Sequence, residues 1–209
     1  MPMQAIAGIF YIVVLIMSVV VHEVAHGYTA YLLGDNTARN SGRLTLNPIK
    51  HLDPFGSVIL PLLLVLMQAG FVIGWAKPVP YNPANLRDEK KGTFFVSIAG
   101  ILANLILAIV FGILIRFAPL FIGVAFLGAF YKIASIIVLL NLVLALFNLI
   151  PIPPLDGSKV LFSFLPVKYR YIENFLEKWG MFLLLFFIIF LWSYVSPLIF
   201  VIFRAITGV

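Results

Sequence analysis

Cysteine is absent from the 209 residues, which excludes both a disulfide framework and thiolate metal ligands. Charge is scarce as well. Only 11% of the residues are charged, against roughly 25% in soluble domains. No internal repeat, low-complexity tract or flexible linker breaks the chain. Little material is left for an aqueous domain. What is present is apolar: 63% of the residues are hydrophobic and the mean hydropathy is +1.12. A net charge of +6 would suggest nucleic acid as a partner of a soluble chain. In this chain the excess Lys and Arg reads instead as cytoplasmic loops, with a lipid bilayer and no nucleic acid as the surroundings.

A membrane span needs about 20 apolar residues. Residues 5–33, 93–116, 126–150 and 179–203 qualify, and 56–73 is marginal because it holds Pro61, Gln68 and Gly70. The fold expected is an all-α polytopic membrane protein with about four full spans, plus a re-entrant or short fifth hydrophobic segment. Residues 1–209 read as one integral-membrane domain, with a core over about 5–160 and a C-terminal span over about 179–203. The first apolar segment reads as a retained span, not a removed signal peptide.

Basic residues speak to the topology. Eleven of the 14 Lys and Arg fall in three stretches. Arg39, Arg43 and Lys50 lie in 35–54. Lys77, Arg87, Lys90 and Lys91 lie in 74–92. Lys159, Lys168, Arg170 and Lys178 lie in 151–178. All three stretches belong in the cytoplasm only if 56–73 enters and leaves on one side; five plain spans with a weak charge signal are the alternative. Two flanking stretches, Gly42–Asn47 and Trp75–Pro80, read as short extended strands or as interfacial loops. Pro78 and Pro80 confine the second to a sheet edge, where a substrate segment could pair beside Val79.

Inside the first apolar segment stands His22-Glu23-Val24-Ala25-His26. Ile6 to Val21 carries no charge, and then three ionisable side chains occur in five residues. On a helix, positions i and i+4 share a face. His22 and His26 can therefore aim two ring nitrogens at one metal ion, and Glu23 can reach a water beside it. Such a group in hydrocarbon marks function. A catalytic zinc takes three protein ligands, and without Cys the third must be His, Asp or Glu. Asp156 is the leading candidate, because Pro151, Pro153 and Pro154 break a helix just before it and Gly157 permits a turn after it. It reaches the leaflet of the histidines only under the re-entrant topology. An Asp-Gly turn or helix cap is its plainer reading, and His51 is the alternative ligand. Asp35, Asp53, Asp88, Glu89, Glu173 and Glu177 read as solvated charges. Ser97, Gly100 and Asn104 share a helix face that permits close packing. Asn104 and Asn148 read equally as packing residues and as contacts to substrate or an oxyanion. The reading is a metal-dependent hydrolase with its active site inside a membrane. The rival is a metal or proton transporter using the same His, Glu and Asp cluster.

Three stretches together resemble a known family: His22-Glu23-Val24-Ala25-His26, Gly100-x-x-x-Asn104, and Asn148-x-x-Pro-x-Pro-x-x-Asp156-Gly157. They are similar, in order, to motifs of the site-2 protease family of intramembrane zinc metalloproteases. The resemblance implies zinc on His22, His26 and Asp156, with Glu23 as catalytic base. It implies cleavage of a single-pass membrane protein in or near its transmembrane segment, and Asn104 and Asn148 match positions near the family's active site. Ile101 departs from the Pro that many members carry after the glycine. Nothing fits a PDZ or CBS domain, so a minimal form is expected.

Overall fold

The computed structural model describes residues 2–67 and 76–208. The helix α1 (Pro2–Leu32) holds the first apolar run. It stops where Gly34 takes a φ of 111°, a conformation that glycine adopts without strain. A short α2 (Thr37–Asn40) follows. Next, Pro54–Ile59 forms a π-helical turn that runs into α3 (Leu60–Leu66). Asp53 caps this stretch, accepting from the amides of Phe55 and Gly56. The long helices α4 (Glu89–Phe117) and α5 (Val124–Asn148) pack on α1, and α6 (Asp156–Phe164) is brief. Finally α7 (Arg170–Phe186), a π-helical turn over Phe187–Leu191 and α8 (Trp192–Thr207) make one long rod.

Four of these units are long and apolar enough to cross a membrane: Phe10–Leu32, Glu89–Leu120, Ala125–Asn148 and Arg170–Thr207. They match the four expected spans. The ends differ because caps sit on polar residues beyond the apolar runs. Asp88, for example, accepts from the amide of Lys91 to start α4. The main apolar core lies between α4, α5 and α8, around Ala108, Ile115, Ala134, Val138, Leu142 and Ile199.

The described part of the marginal segment, up to residue 67, is too short to cross. The helical stretch 54–66 rises about 20 Å at 1.5 Å per residue, short of the ~30 Å hydrocarbon core. The amide of Lys77 donates to the carbonyl of His51 at 2.8 Å, so the chain returns to the place where it left. The returning limb, 68–73, and Trp75 lie outside the described residues. Buried Asp35 clamps both flanks together. It accepts from the amide and hydroxyl of Thr37, the amide of Asn82 and the side chain of Asn85. Burial alone would raise this carboxyl, but those hydrogen bonds hold it below the usual carboxylate range. Its reading as a solvated charge is thus corrected. Single cysteines at Thr45 and Asn85 are expected to react with a membrane-impermeant thiol reagent from the same side. Labelling from opposite sides would refute the return.

The small strands do not form among the described residues. Arg43 N–H and Thr45 N–H bond locally, to the Ala38 and Arg43 carbonyls, and 42–47 is an irregular connection. In 76–80, Pro78 and Pro80 have no N–H to offer. The amides of Lys77 and Val79 go to His51 and to a side chain of α1. Both of these amides are thereby drawn away from a common ladder.

Candidate active site

His22 and His26 lie one helical turn apart on α1, both buried. Their rings meet edge-on, with centroids 4.6 Å apart. The helix α4 approaches this face through Gly100. A Cβ there would come within 2.5 Å of His26 Nε2 and 2.6 Å of His22 Cε1. After α5 the prolines turn the chain, and Asp156 opens α6 as a buried carboxylate. Gly157 behind it has its α-carbon against the carbonyls of Leu149 and Ile150, with no room for a side chain.

Three side-chain atoms converge here. Asp156 Oδ2 is 3.0 Å from His22 Nε2 and 3.1 Å from His26 Nε2, and the two nitrogens are 3.0 Å apart. The other ring nitrogens decide what fills the gap. His22 Nδ1 is 2.6 Å from Asn104 Oδ1, and His26 Nδ1 is 2.6 Å from the Val96 carbonyl. Both partners are acceptors, so each Nδ1 must carry the proton. Both Nε2 atoms then present lone pairs, beside a carboxylate oxygen. Three lone pairs at such distances repel unless a cation lies among them. A triangle of this size admits a point about 2 Å from every corner, the length of a zinc–nitrogen or zinc–oxygen bond. Among the described residues these three form the group of His, Asp and Glu side chains able to hold a metal.

Glu23 faces the same space but stays out of the triangle. Its Oε2 accepts from the amide of Val79 at 2.8 Å. Val79 is buried, its side chain close against Gly27 where a Cβ would lie 2.5 Å from Cγ1. Glu23, Val79 and the three convergent residues line one cavity of about 230 Å³, with Asn148, Ser97 and Lys159 on its wall. Asn148 is half-buried on α5 and its Nδ2 bonds the Leu144 carbonyl. Ser97 Oγ is buried without a protein partner. Lys159 has its ammonium 4.0 Å from Asp156 Oδ1 and above the Tyr81 ring. It also borders an outer groove of about 560 Å³ between α4, α6 and α7. His51 is not part of this group; it is buried at the end of a 3-10 turn (Pro48–His51), with Nε2 donating to the Thr45 carbonyl.

Comparison with known proteins agrees with this arrangement. Residues 122–191, which include Asp156, match the family described as Peptidase family M50. The Bacillus subtilis protein named "Putative zinc metalloprotease YwhC" is 42% identical over 193 residues, covering 90% of this chain and 81% of that protein. The chain belongs to peptidase family M50, the site-2 proteases. A Mycolicibacterium smegmatis protein named "Putative zinc metalloprotease Rip2" is 32% identical over 181 residues, 83% of this chain and 64% of that protein. "Zinc metalloprotease MJ0392" of Methanocaldococcus jannaschii is 29% identical over 164 residues, 78% of this chain but 36% of its own length. No solved structure matches. As an M50 peptidase with four apolar helices, this is a multi-pass membrane metalloprotease.

For an M50 peptidase the sequence missed two contributors. Asn141 and Ser18 are buried behind Asn104, joined to it and to each other. Their signal was present but thin: each is a lone polar residue in an apolar run.

Proposed function

We propose that the chain is a zinc-dependent intramembrane endopeptidase acting on single-pass membrane proteins. It cuts a peptide bond in or near the substrate's transmembrane segment, as a step of regulated intramembrane proteolysis. Residues 1–209 act as one catalytic domain, with the core over about 5–160 and an accessory span near the C-terminus. The observation that carries the reading is the pair of imidazoles whose Nδ1 protons are tied down. Their Nε2 lone pairs are thereby turned on the same point as Asp156 Oδ2.

His22, His26 and Asp156 hold the zinc. Zinc, when bound, supplies a Lewis acid that polarises the scissile carbonyl and makes water nucleophilic near neutral pH. Glu23 takes a proton from the attacking water as its oxygen bonds to the carbonyl carbon. Asn148, on the cavity wall, can donate to the oxygen that gains charge. When the C–N bond breaks, Glu23 returns the proton to the leaving amine. Val79 lines the same cavity, and its amide holds Glu23 Oε2 so that the other carboxylate oxygen is free to take the proton. The basic stretches on the site's side of the bilayer favour an active site toward the cytoplasmic face of the cell membrane.

Elemental analysis of the purified wild type is expected to find one zinc per chain. Asp156→Ala is expected to lose it, and His51→Ala to keep it. Zinc held as tightly by Asp156→Ala as by wild type would remove Asp156 from the ligand set.

A further inference from the structure

Behind the histidines lies a polar chain that crosses three helices. His22 Nδ1 meets Asn104 Oδ1 at 2.6 Å. Asn104 Nδ2 is 2.7 Å from Asn141 Oδ1 and 3.3 Å from the Ser18 carbonyl. Asn141 Nδ2 is 2.8 Å from the Ile137 carbonyl and 2.9 Å from Ser18 Oγ. Asn104 and Asn141 have no exposed surface, and Ser18 is buried.

The direction of every link follows from its far end. The Ile137 carbonyl can only accept, so the Asn141 atom facing it must be the amide nitrogen. The Asn141 oxygen then faces Asn104 and must accept, so Asn104 turns its nitrogen to Asn141. Its oxygen is left for His22, and His22 must carry its proton on Nδ1. Of the two bonds that Asn104 Nδ2 makes, the one to Asn141 is the shorter; the Ser18 carbonyl is a longer, weaker acceptor for the same amide. With the Asn104 amide turned over, an N–H would face His22 Nδ1. The imidazole proton would move to Nε2, where it would block the lone pair.

We propose that Asn141 is a positioning residue of the metal site: it locks the Asn104 amide and thereby holds His22 in the tautomer that can bind a cation. This deepens the zinc-ligand reading of His22 and rests on it. Removing the partner leaves a buried amide hydrogen without its short acceptor, a cost that turning over can relieve.

The test uses full-length protein with 15N-labelled histidine. The chain has three histidines, so each ring can be assigned by substitution. In the metal-free wild type, at a pH where imidazoles are neutral, His22 is expected to show a protonated Nδ1 and a bare Nε2. In Asn141→Leu it is expected to become a mixture of tautomers, with zinc affinity reduced about 10-fold, the lower end for residues that orient a ligand. Asn141→Asp in its neutral form keeps an oxygen for Asn104 and is expected to restore the wild-type tautomer and most of the affinity. A folded Asn141→Leu with wild-type tautomer and affinity overturns the proposal. So does a metal-free wild type with its His22 proton on Nε2, a result that needs no variant. Full zinc binding by His22→Ala would instead remove the ligand reading, and the tautomer measurement would stand apart from it.

Discussion

Glu23→Gln is expected to fold and to retain one zinc per chain, while cleaving its substrate at least about 100-fold more slowly, the usual contribution of a positioned general base. The structure makes this substitution unusually clean. Glu23 lies outside the triangle of convergent atoms, so its replacement takes no ligand away. It accepts from the Val79 amide, and the glutamine carbonyl can accept that hydrogen bond in the same place. What is lost is the negative charge that takes a proton. The measurement pairs zinc content with co-expression of tagged single-pass proteins, comparing fragments from wild type and variant. Cleavage at the wild-type rate would remove Glu23 from the mechanism. Loss of zinc together with activity would move it into the ligand set.

Gly100→Ala is expected to reduce zinc affinity on the order of 100-fold, the upper end of what supporting residues do. The added methyl would fall 2.5 Å from His26 Nε2 and 2.6 Å from His26 Cε1. The ring cannot swing aside cheaply, because His26 Nδ1 is held by the Val96 carbonyl of the same α4 helix. Either that bond breaks or α4 moves away from α1. Alanine favours a helix more than glycine does, so helix content should not fall, which separates local damage from unfolding. Gly128→Ala makes the control, since nothing lies within 4 Å of its added carbon. A Gly100→Ala protein that binds zinc like wild type would show that α4 does not press on the histidines.

The legible parts of the site were those set by local rules. His22 and His26 are a helical repeat apart, and spacing alone puts them on one face. Asp156 was marked by the prolines before it and the absence of Cys. The return of the 56–73 segment followed from Lys and Arg counts, and the Lys77–His51 hydrogen bond gives it a structural cause. What stayed hidden depends on neighbours distant in sequence. Asn141 lies 37 positions from Asn104, and no period within one helix reveals that their amides meet. Asp35 looked like a solvated charge because two of its four donors, on Asn82 and Asn85, lie far away in sequence, beyond the 56–73 segment. No strand forms over 76–80 among the described residues: Pro78 and Pro80 offer no amide, and those of Lys77 and Val79 go to His51 and Glu23, partners distant in sequence.

The long rod of α7 and α8 has a consequence for how such an enzyme is handled. Only 6% of its most apolar stretch is buried within the protein. Its α8 half packs Ile199 and Ile206 into the core with α4 and α5, while its α7 half meets the rest of the molecule at close places such as Gly180 against the Pro153 carbonyl. Its tilt is therefore set by those contacts, with the thickness of the surrounding hydrocarbon acting on the long exposed face. Pro153 stands three residues before Asp156. A micelle or a thin bilayer that tips the rod pushes on the loop carrying that carboxylate. The amphiphile chosen for purification is therefore expected to reach the catalytic centre through this contact, and activities measured in detergents of different chain length are expected to differ.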